Sequence, residues 1–294
     1  MYTGKNTLWL RLFGCPLQCE GFGQKDPTNP ATYELPYKEF DPVGVKCLED
    51  LPVWKFGCDS SYSFAKKFKH LNHTDFSELL AIKLMALLRS EKNPQGTFLH
   101  DHSNIETHLC FTGGEPLLPV NQKAIASVIN ELGKYPGGII PGTNKRKENN
   151  YPRYVTFETN GTQKLTPQFT EFLNIHSRYT RFMFSVSPKL FTVSGEKNAK
   201  AIKPDNVFGY QQITDKGQLK FVLGLEDRQW KEMEQVTKQF RDAGVTYPVY
   251  IMPVSALVED QEKIAAQVCD RALSEGYHVA PRVHCYVYGN SIGT

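Results

Sequence analysis

Cys15 and Cys19 are separated by three residues in Cys15-Pro-Leu-Gln-Cys19. At this spacing two thiolates can converge on one inorganic core, and thiolates are the usual ligands of iron–sulfur clusters. A structural zinc, or two unrelated buried thiols, explains a lone pair equally well. Arg11 lies in the run Leu8-Trp9-Leu10-Arg11-Leu12-Phe13. An unpaired charge is costly to bury among such neighbours, so it requires an anion, either a carboxylated ligand or a structural Asp or Glu. Gly113-Gly114 follows an apolar run, and adjacent glycines let a backbone with free N–H groups approach a ligand, although they also serve plain turns. Ser187 and Lys189 carry donors for a carboxylate or a ribose. The seven cysteines (15, 19, 47, 58, 110, 269 and 285) are odd in number and irregular in spacing. They read poorly as a disulfide framework and better as metal chemistry plus buried thiols.

Periodicity predicts the elements that must position these residues. A strand at Leu8–Phe13 is followed by a stretch from Glu20 to Trp54, rich in Pro, Gly, Asp and Tyr, with no sustained period. A helix over Asp75–Ser90 should present Leu79, Leu80, Ile82, Leu84, Leu87 and Leu88, capped by Thr74 or Asp75 with Glu78 supporting a capping box. Strands at His108–Thr112, Tyr154–Glu158, Phe182–Ser187, Leu219–Val222, Val249–Met252 and near Val279–Val287 then alternate with helices at Gln122–Leu132, Pro167–Ile175, Asp227–Ala243 and Glu259–Glu275. Two polar loops, Tyr135–Arg153 and Phe191–Gln211, interrupt the series. Repeated β-then-α units imply mostly parallel strands with right-handed crossovers, hence an α/β fold of the full or partial (β/α) barrel kind. The candidate residues fall where strands end, the edge at which such barrels collect their chemistry.

With the strand-end motifs in order, the chain resembles the radical S-adenosylmethionine superfamily, and within it the 7-carboxy-7-deazaguanine synthase family. That superfamily's loop usually reads Cys, three residues, Cys, two residues, Cys, whereas here Phe22 stands at the third position. Gly57-Cys58-Asp59-Ser60 is similar to the cysteine–aspartate–threonine end of the family's loop, so residues 20–57 read as an insertion and Cys58 as the third ligand. Cys47, inside the insertion, is the rival without matching context. The resemblance implies a [4Fe-4S] cluster on Cys15, Cys19 and Cys58 and an open iron that chelates S-adenosylmethionine. It assigns Gly57, Asp59, Gly114, Glu115, Ser187, Pro188, Lys189, Met252, Pro253, Val254 and Ser255 to that cofactor. Arg11, Thr112, Glu158, His284 and Thr294 are assigned to substrate, with Lys220 a weaker candidate, and Ser60, in place of a threonine, to Mg2+. Thr112-Gly113-Gly114-Glu115-Pro116 and Glu158-Thr159-Asn160-Gly161 carry the likeness most directly. The family's Gln-Gly-Glu-Gly segment ahead of the first strand is not seen before Met1-Tyr2-Thr3-Gly4.

The resemblance implies conversion of 6-carboxy-5,6,7,8-tetrahydropterin to 7-carboxy-7-deazaguanine with loss of ammonia, begun by hydrogen abstraction at C6. A flavodoxin or ferredoxin would supply the electron, and the product would serve queuosine in tRNA or modified bases in DNA. A different radical S-adenosylmethionine enzyme, or a non-catalytic protein that keeps the fold, are the competing readings. A net charge of +3 is too mild to argue for nucleic acid, and the short run Lys145-Arg146-Lys147 reads as a solvated loop. No run approaches the roughly 18 apolar residues of a membrane span, and no signal-peptide design opens the chain, so a single cytoplasmic domain over residues 1–294 is expected, with a homodimer as an open assembly state.

Overall fold

A computed structural model describes residues 4–290, apart from the side chain of His284. Seven strands form one sheet in chain order: β1 (Thr7–Leu12), β2 (His108–Gly113), β3 (Tyr154–Thr159), β4 (Arg181–Val186), β5 (Gly217–Leu223), β6 (Val249–Pro253) and β7 (His278–Val279). Every neighbouring pair is parallel, and among the described residues the sheet does not close, so the fold is the α/β partial barrel expected from the alternating pattern.

Side chains alternate across a strand, and that alternation divides the sheet into two faces. Leu8, Leu10 and Leu12 of β1, Leu109 and Phe111 of β2, Val155 and Phe157 of β3, and Leu219, Phe221 and Leu223 of β5 join the main core. Helices α3 (Pro119–Leu132), α4 (Pro167–His176), α8 (Asp227–Asp242) and α9 (Val258–Ser274) contribute Ile125, Leu173, Trp230 and Val268 to the same core. The intervening strand residues therefore take the inner face: Trp9 and Arg11, Cys110 and Thr112, Thr156 and Glu158, Gln218 and Lys220. Register sets Arg11 beside Thr112 and Glu158 beside Ser185.

Several expectations need correction. Helix α2 runs Ser77–Leu87 with Phe76 at its N-cap and no side-chain cap, because Asp75 pairs with Lys83 at 2.8 Å instead. Its apolar face is only partly covered, since Ala81, Leu84 and Leu88 are buried whereas Phe76, Leu79, Ile82 and Leu87 are exposed. Loop 191–211 is largely helical, in the short segments α5 (Phe191–Ser194), α6 (Asn198–Ala201) and α7 (Pro204–Gln211). Beyond β7 the chain turns into α10 (Val283–Tyr288) rather than extending the strand. Pro281 has no N–H to continue a ladder, which overrides the β-branched and aromatic composition that follows. Lys145-Arg146-Lys147 is anchored rather than simply solvated: Arg146 grips the buried carboxylate of Asp101 through both amino groups at 2.7 and 3.1 Å, and Lys147 pairs with Glu106 at 3.1 Å.

The stretch between Cys19 and Cys58 builds a second, smaller hydrophobic cluster. Tyr37, Leu51 and Trp54 pack there with Tyr62, Phe68 and Leu71 from just downstream, and Phe40 meets Trp54 edge-on at 5.2 Å. Two short helical pieces, Pro30–Thr32 and α1 (Pro36–Glu39), begin at prolines, whose fixed φ suits a first turn.

Candidate functional site

Cys15 leaves the end of β1, and Gly14 just before it donates its N–H to Ser63 O at 2.7 Å. Cys58 reaches the same place because the long excursion is pinched at its base. Gly57 N–H donates to Phe22 O at 2.8 Å, and a Cβ on Gly23 would stand 2.7 Å from Lys55 O, so the chain leaves and returns at one point. Phe22, at the spacing where the usual loop pattern has its third cysteine, thus forms the neck of the excursion between Cys19 and Cys58. The thiols of Cys15, Cys19 and Cys58 lie close enough to influence one another. Burial pushes Cys15 up to about 11. Burial, with Asp59 adding to it, pushes Cys58 up to about 12. Cys19 too is raised well above the ordinary thiol value, first by burial and then by the other two sulfurs. Lys189 opposes the rise at all three. Cys47 stands apart, exposed on the excursion between Cys19 and Cys58, with its N–H on Asp50 Oδ2 at 3.3 Å.

Sequence reasoning missed the residue that shapes the cysteine loop. Glu196 is 8% exposed, and its Oε1 accepts from Gln18 N–H at 2.5 Å and Cys19 N–H at 2.9 Å. Cys19 has a left-handed φ of 52°, which is uncommon for a side-chain-bearing residue and is held in place here by that carboxylate. Gly21 N–H donates to Ser194 O at 3.0 Å, seating the loop on α5. No local signal in residues 191–211 announces this, since the partner lies far away in sequence. Glu196→Ala is expected to destabilise the fold by about 1.5–3 kcal/mol, the worth of a hydrogen bond to a charged acceptor, with Glu196→Gln recovering part. Urea unfolding measures the loss, and faster hydrogen exchange at the Cys19 amide locates it.

Gly113 and Gly114 work differently from the expectation of exposed N–H groups. Gly114 N–H is taken by Leu12 O at 3.0 Å and Glu115 N–H by Gly14 O at 2.8 Å. A Cβ on Gly113 would lie 2.0 Å from Leu12 O, and one on Gly114 would lie 2.2 Å from Gly14 O, so the glycines permit two strand ends to touch. The Glu115 carboxylate is fully buried and accepts from Leu117 N–H at 2.9 Å, Thr159 Oγ1 at 2.7 Å and Asn160 N–H at 2.8 Å. It fastens the end of β2 to that of β3. Burial raises its pKa despite these donors. Asn160 then turns its amide toward Cys15 Sγ at 3.7 Å.

On the inner face Arg11 donates to Ser60 Oγ at 3.2 Å and lies over the Tyr62 ring at 5.6 Å, but forms no ion pair with a carboxylate among the described residues. The structural Asp or Glu that a buried arginine would otherwise require is therefore not in contact. Glu158 accepts from Thr112 Oγ1 at 3.2 Å and from Lys220 Nζ at 3.1 Å. Burial opposes its ionisation, yet Lys220 and the further contribution of Thr112 and Arg11 hold its pKa below the ordinary carboxyl value. A depressed folded pKa means the pair contributes in full above the unfolded carboxyl range and is lost as pH falls through the lower folded value. Lys220→Met is expected to move the Glu158 pKa upward past its ordinary value, because burial remains while the counter-charge goes. Carbon-13 NMR titration of the glutamate carboxyl checks it.

Ser60 Oγ donates to Asp59 Oδ1 at 3.0 Å, so its hydroxyl lies between that carboxylate and the Arg11 guanidinium. Asp59 Oδ2 pairs with Arg282 Nη2 at 3.3 Å, and Arg282 Nη1 donates to Ser255 O at 2.9 Å, linking the cysteine loop to the ends of β6 and β7. Lys189 Nζ donates to Ser187 Oγ at 2.9 Å and lies over the Phe22 ring at 5.6 Å, with Pro188 buried between them in sequence. Met252 and Pro253 end β6. Val254 lines a cavity of about 320 Å³ together with Gly23, Gln24, Gly224 and Gln229, where the excursion beyond Cys19 meets the ends of β5 and β6. The His284 side chain and Thr294 lie outside the described residues.

The donor set bears on what these thiols could hold. A single tetrahedral ion draws each sulfur to about 2.3 Å, and among the described residues no three His, Cys, Asp or Glu are grouped to hold one ion. Three soft thiolates are the ligand chemistry of a four-iron core, whose own width of several ångströms sets its sulfurs farther apart than those of a single ion. The Ser60 position fits magnesium less well, since a cation there would meet the Arg11 guanidinium.

Fold and site together define a parallel α/β partial barrel with its thiols, glycine turn and ionisable side chains gathered at the C-terminal strand edge. The chain is similar to the 7-carboxy-7-deazaguanine synthase of Pyrobaculum aerophilum, with 25% identity over 189 residues, covering 63% of this chain and 67% of that relative. This is the family to which the ordered motifs pointed. No family model matches the chain, and no solved structure matches it. Among the described residues no helix is long and apolar enough to cross a membrane.

Proposed function

We propose that this chain is a radical S-adenosylmethionine enzyme that forms 7-carboxy-7-deazaguanine from 6-carboxy-5,6,7,8-tetrahydropterin. The observation that carries the reading is the meeting of Cys58 with Cys15 and Cys19 through the Phe22–Gly57 neck, directly beside an arginine that has no carboxylate partner among the described residues. Cys15, Cys19 and Cys58 would hold a four-iron cluster, which with bound S-adenosylmethionine supplies one-electron cleavage of the sulfonium and a carbon radical for hydrogen abstraction.

The protein's own part is binding, orientation and charge. Arg11 takes the substrate carboxylate in a charge-assisted contact. Glu158, kept ionised by Lys220, accepts from ring N–H groups, with Thr112 beside it. Lys189 with its partner Ser187 lies over the Phe22 ring, and Val254 lines a cavity with Gly23 and Gln24, so these residues, with Pro188, Met252, Pro253 and Ser255 beside them in sequence, suit the carboxylate, ribose and base of S-adenosylmethionine. Gly114 and Glu115 support that cofactor by fixing the β2 turn, and Gly57 and Asp59 by fixing Cys58. His284 and Thr294 remain candidates for the far wall. A small flavodoxin-like or ferredoxin-like donor would supply the electron, in a cytoplasmic single-domain protein whose residues 20–57 are an insertion. No step is assigned to magnesium.

The test is anaerobic reconstitution with iron and sulfide, then reductant, S-adenosylmethionine and the carboxypterin, with products followed by mass spectrometry. Formation of 7-carboxy-7-deazaguanine is expected. Formation of 5′-deoxyadenosine alone would keep the cofactor chemistry and reject the substrate, and iron-free protein after reconstitution would reject both.

A further inference from the structure

The protein has three tryptophans, and two are built into cores: Trp54 is 4% exposed and Trp230 is 1% exposed. Trp9 is 54% exposed in the middle of β1, the edge strand, while its neighbours Leu8 and Leu10 pack against the main core. Alternation therefore puts its indole on the inner face, on the same side as Arg11. A large aromatic ring facing an otherwise polar surface contributes little to folding there. Its register partner is Cys110, and the rows beside and above it carry Thr156, Thr112 and Glu158.

Two further observations say what this ring faces. Arg11, two residues on and about 7 Å along the strand, has no carboxylate partner among the described residues. Gln218, 1% exposed on the same face, donates through Nε2 to Ser185 Oγ at 2.7 Å while its Oε1 is buried without a hydrogen-bond partner. The face thus offers a flat apolar platform, a cation beyond one end of it and unspent polar capacity across the sheet. A flat ring system bearing a carboxylate and ring N–H groups satisfies all three.

We infer that Trp9 is the stacking platform for the substrate ring, and that the ligand of the inner face is a bicyclic nitrogen heterocycle with one flat ring and a carboxylate, oriented by Trp9 under the flat ring and Arg11 at the acid. This rests on the proposed function for the identity of the heterocycle. Trp9 is a positioning residue that touches substrate remote from the radical chemistry.

The test is isothermal titration of the full-length, cluster-reconstituted protein with pterin-6-carboxylate, in the presence of S-adenosylmethionine and without reductant, so that affinity and not turnover is read. Trp9→Ala is expected to weaken binding about tenfold or more, the scale of stacking a base on an aromatic side chain, and Trp9→Phe, which keeps a π-face, to stay within about threefold. Arg11→Ala serves as the reference for the carboxylate. Unchanged affinity in Trp9→Ala with weakened binding in Arg11→Ala would overturn the platform and leave the proposed function standing. No binding by the unmodified protein would overturn both. Should Trp9→Ala instead dissociate a dimer on size-exclusion chromatography with affinity unchanged, the indole is a subunit contact and the inference fails.

Discussion

Cys58→Ala is expected to prevent assembly of a four-iron cluster, lowering the 400 nm absorbance after reconstitution and cutting reductive cleavage of S-adenosylmethionine by roughly 10²-fold or more. The magnitude follows from metal sites in general, where even outer-shell partners cost about 10–100-fold, so a direct ligand costs at least that. Cys47→Ala is the matched control. Its thiol sits on the exposed surface of the insertion beside Asp50, away from the other three, and its loss should leave iron content and cleavage unchanged. The reverse result, with Cys47 required and Cys58 dispensable, would mean that the neck between Phe22 and Gly57 opens in the working enzyme. The insertion's own hydrophobic cluster argues against this, because opening the neck would pull Tyr37, Leu51 and Trp54 away from Tyr62 and Phe68. Exposing apolar side chains of that size costs about 1.5–3 kcal/mol each.

The second large effect is expected at Arg11. Arg11→Ala should lower kcat/KM for the carboxypterin by about 10–100-fold, the equivalent of the 1.5–3 kcal/mol that a charge-assisted contact contributes. Most of the change should fall in KM, because the carboxylate is bound alike before and during reaction. Removing the guanidinium also takes away one positive charge that favours the ionised forms of Asp59 and Glu158, leaving Arg282 and Lys220 as their counter-charges near an anionic ligand. Arg11→Lys should recover only part, since an ammonium cannot meet a carboxylate through two parallel N–H groups. Steady-state kinetics of the three forms measures this, and unfolding midpoints serve as the control. Arg11 contributes one hydrogen bond to Ser60 and a ring contact with Tyr62, so stability should change little. An equal loss with a substrate lacking the carboxylate would remove Arg11 from that role.

The cysteine loop and the inner face differ in how they are held. Around Cys19 the backbone is fixed by Glu196 and by α5, and Glu115 fastens two strand ends without presenting a free carboxylate to a ligand. Trp9 is placed by its strand position, and Arg11 by its strand position with one hydrogen bond to Ser60 and a ring contact with Tyr62. Substitutions in the first group are therefore expected to disturb folding and assembly together, and those in the second to alter binding with the fold intact.

Much of this architecture is written locally in the chain. Alternating apolar strands and amphipathic helices, each bounded by Pro, Gly or polar residues, are short-range patterns, so six of the seven strands and the long helices α3, α4, α8 and α9 lie within a few residues of where periodicity puts them. Parallel order follows from the same pattern, as does the gathering of Cys15, Gly114, Glu158 and Ser187 at one sheet edge. Contacts between distant residues are another matter. Nothing near Cys58 says that Gly57 closes on Phe22, and nothing near Glu196 says that it holds the amide of Cys19. Nor does the run Lys145-Arg146-Lys147 show that Asp101 waits for it. At Val283–Tyr288 strand propensity was overruled by a proline and by helical turns that only the folded chain could complete. Local sequence determines which elements form, because their hydrogen bonds and periodicity are local. The tertiary structure alone decides which side chains meet, because a charge or thiol is committed only when a partner from elsewhere in the chain removes it from water.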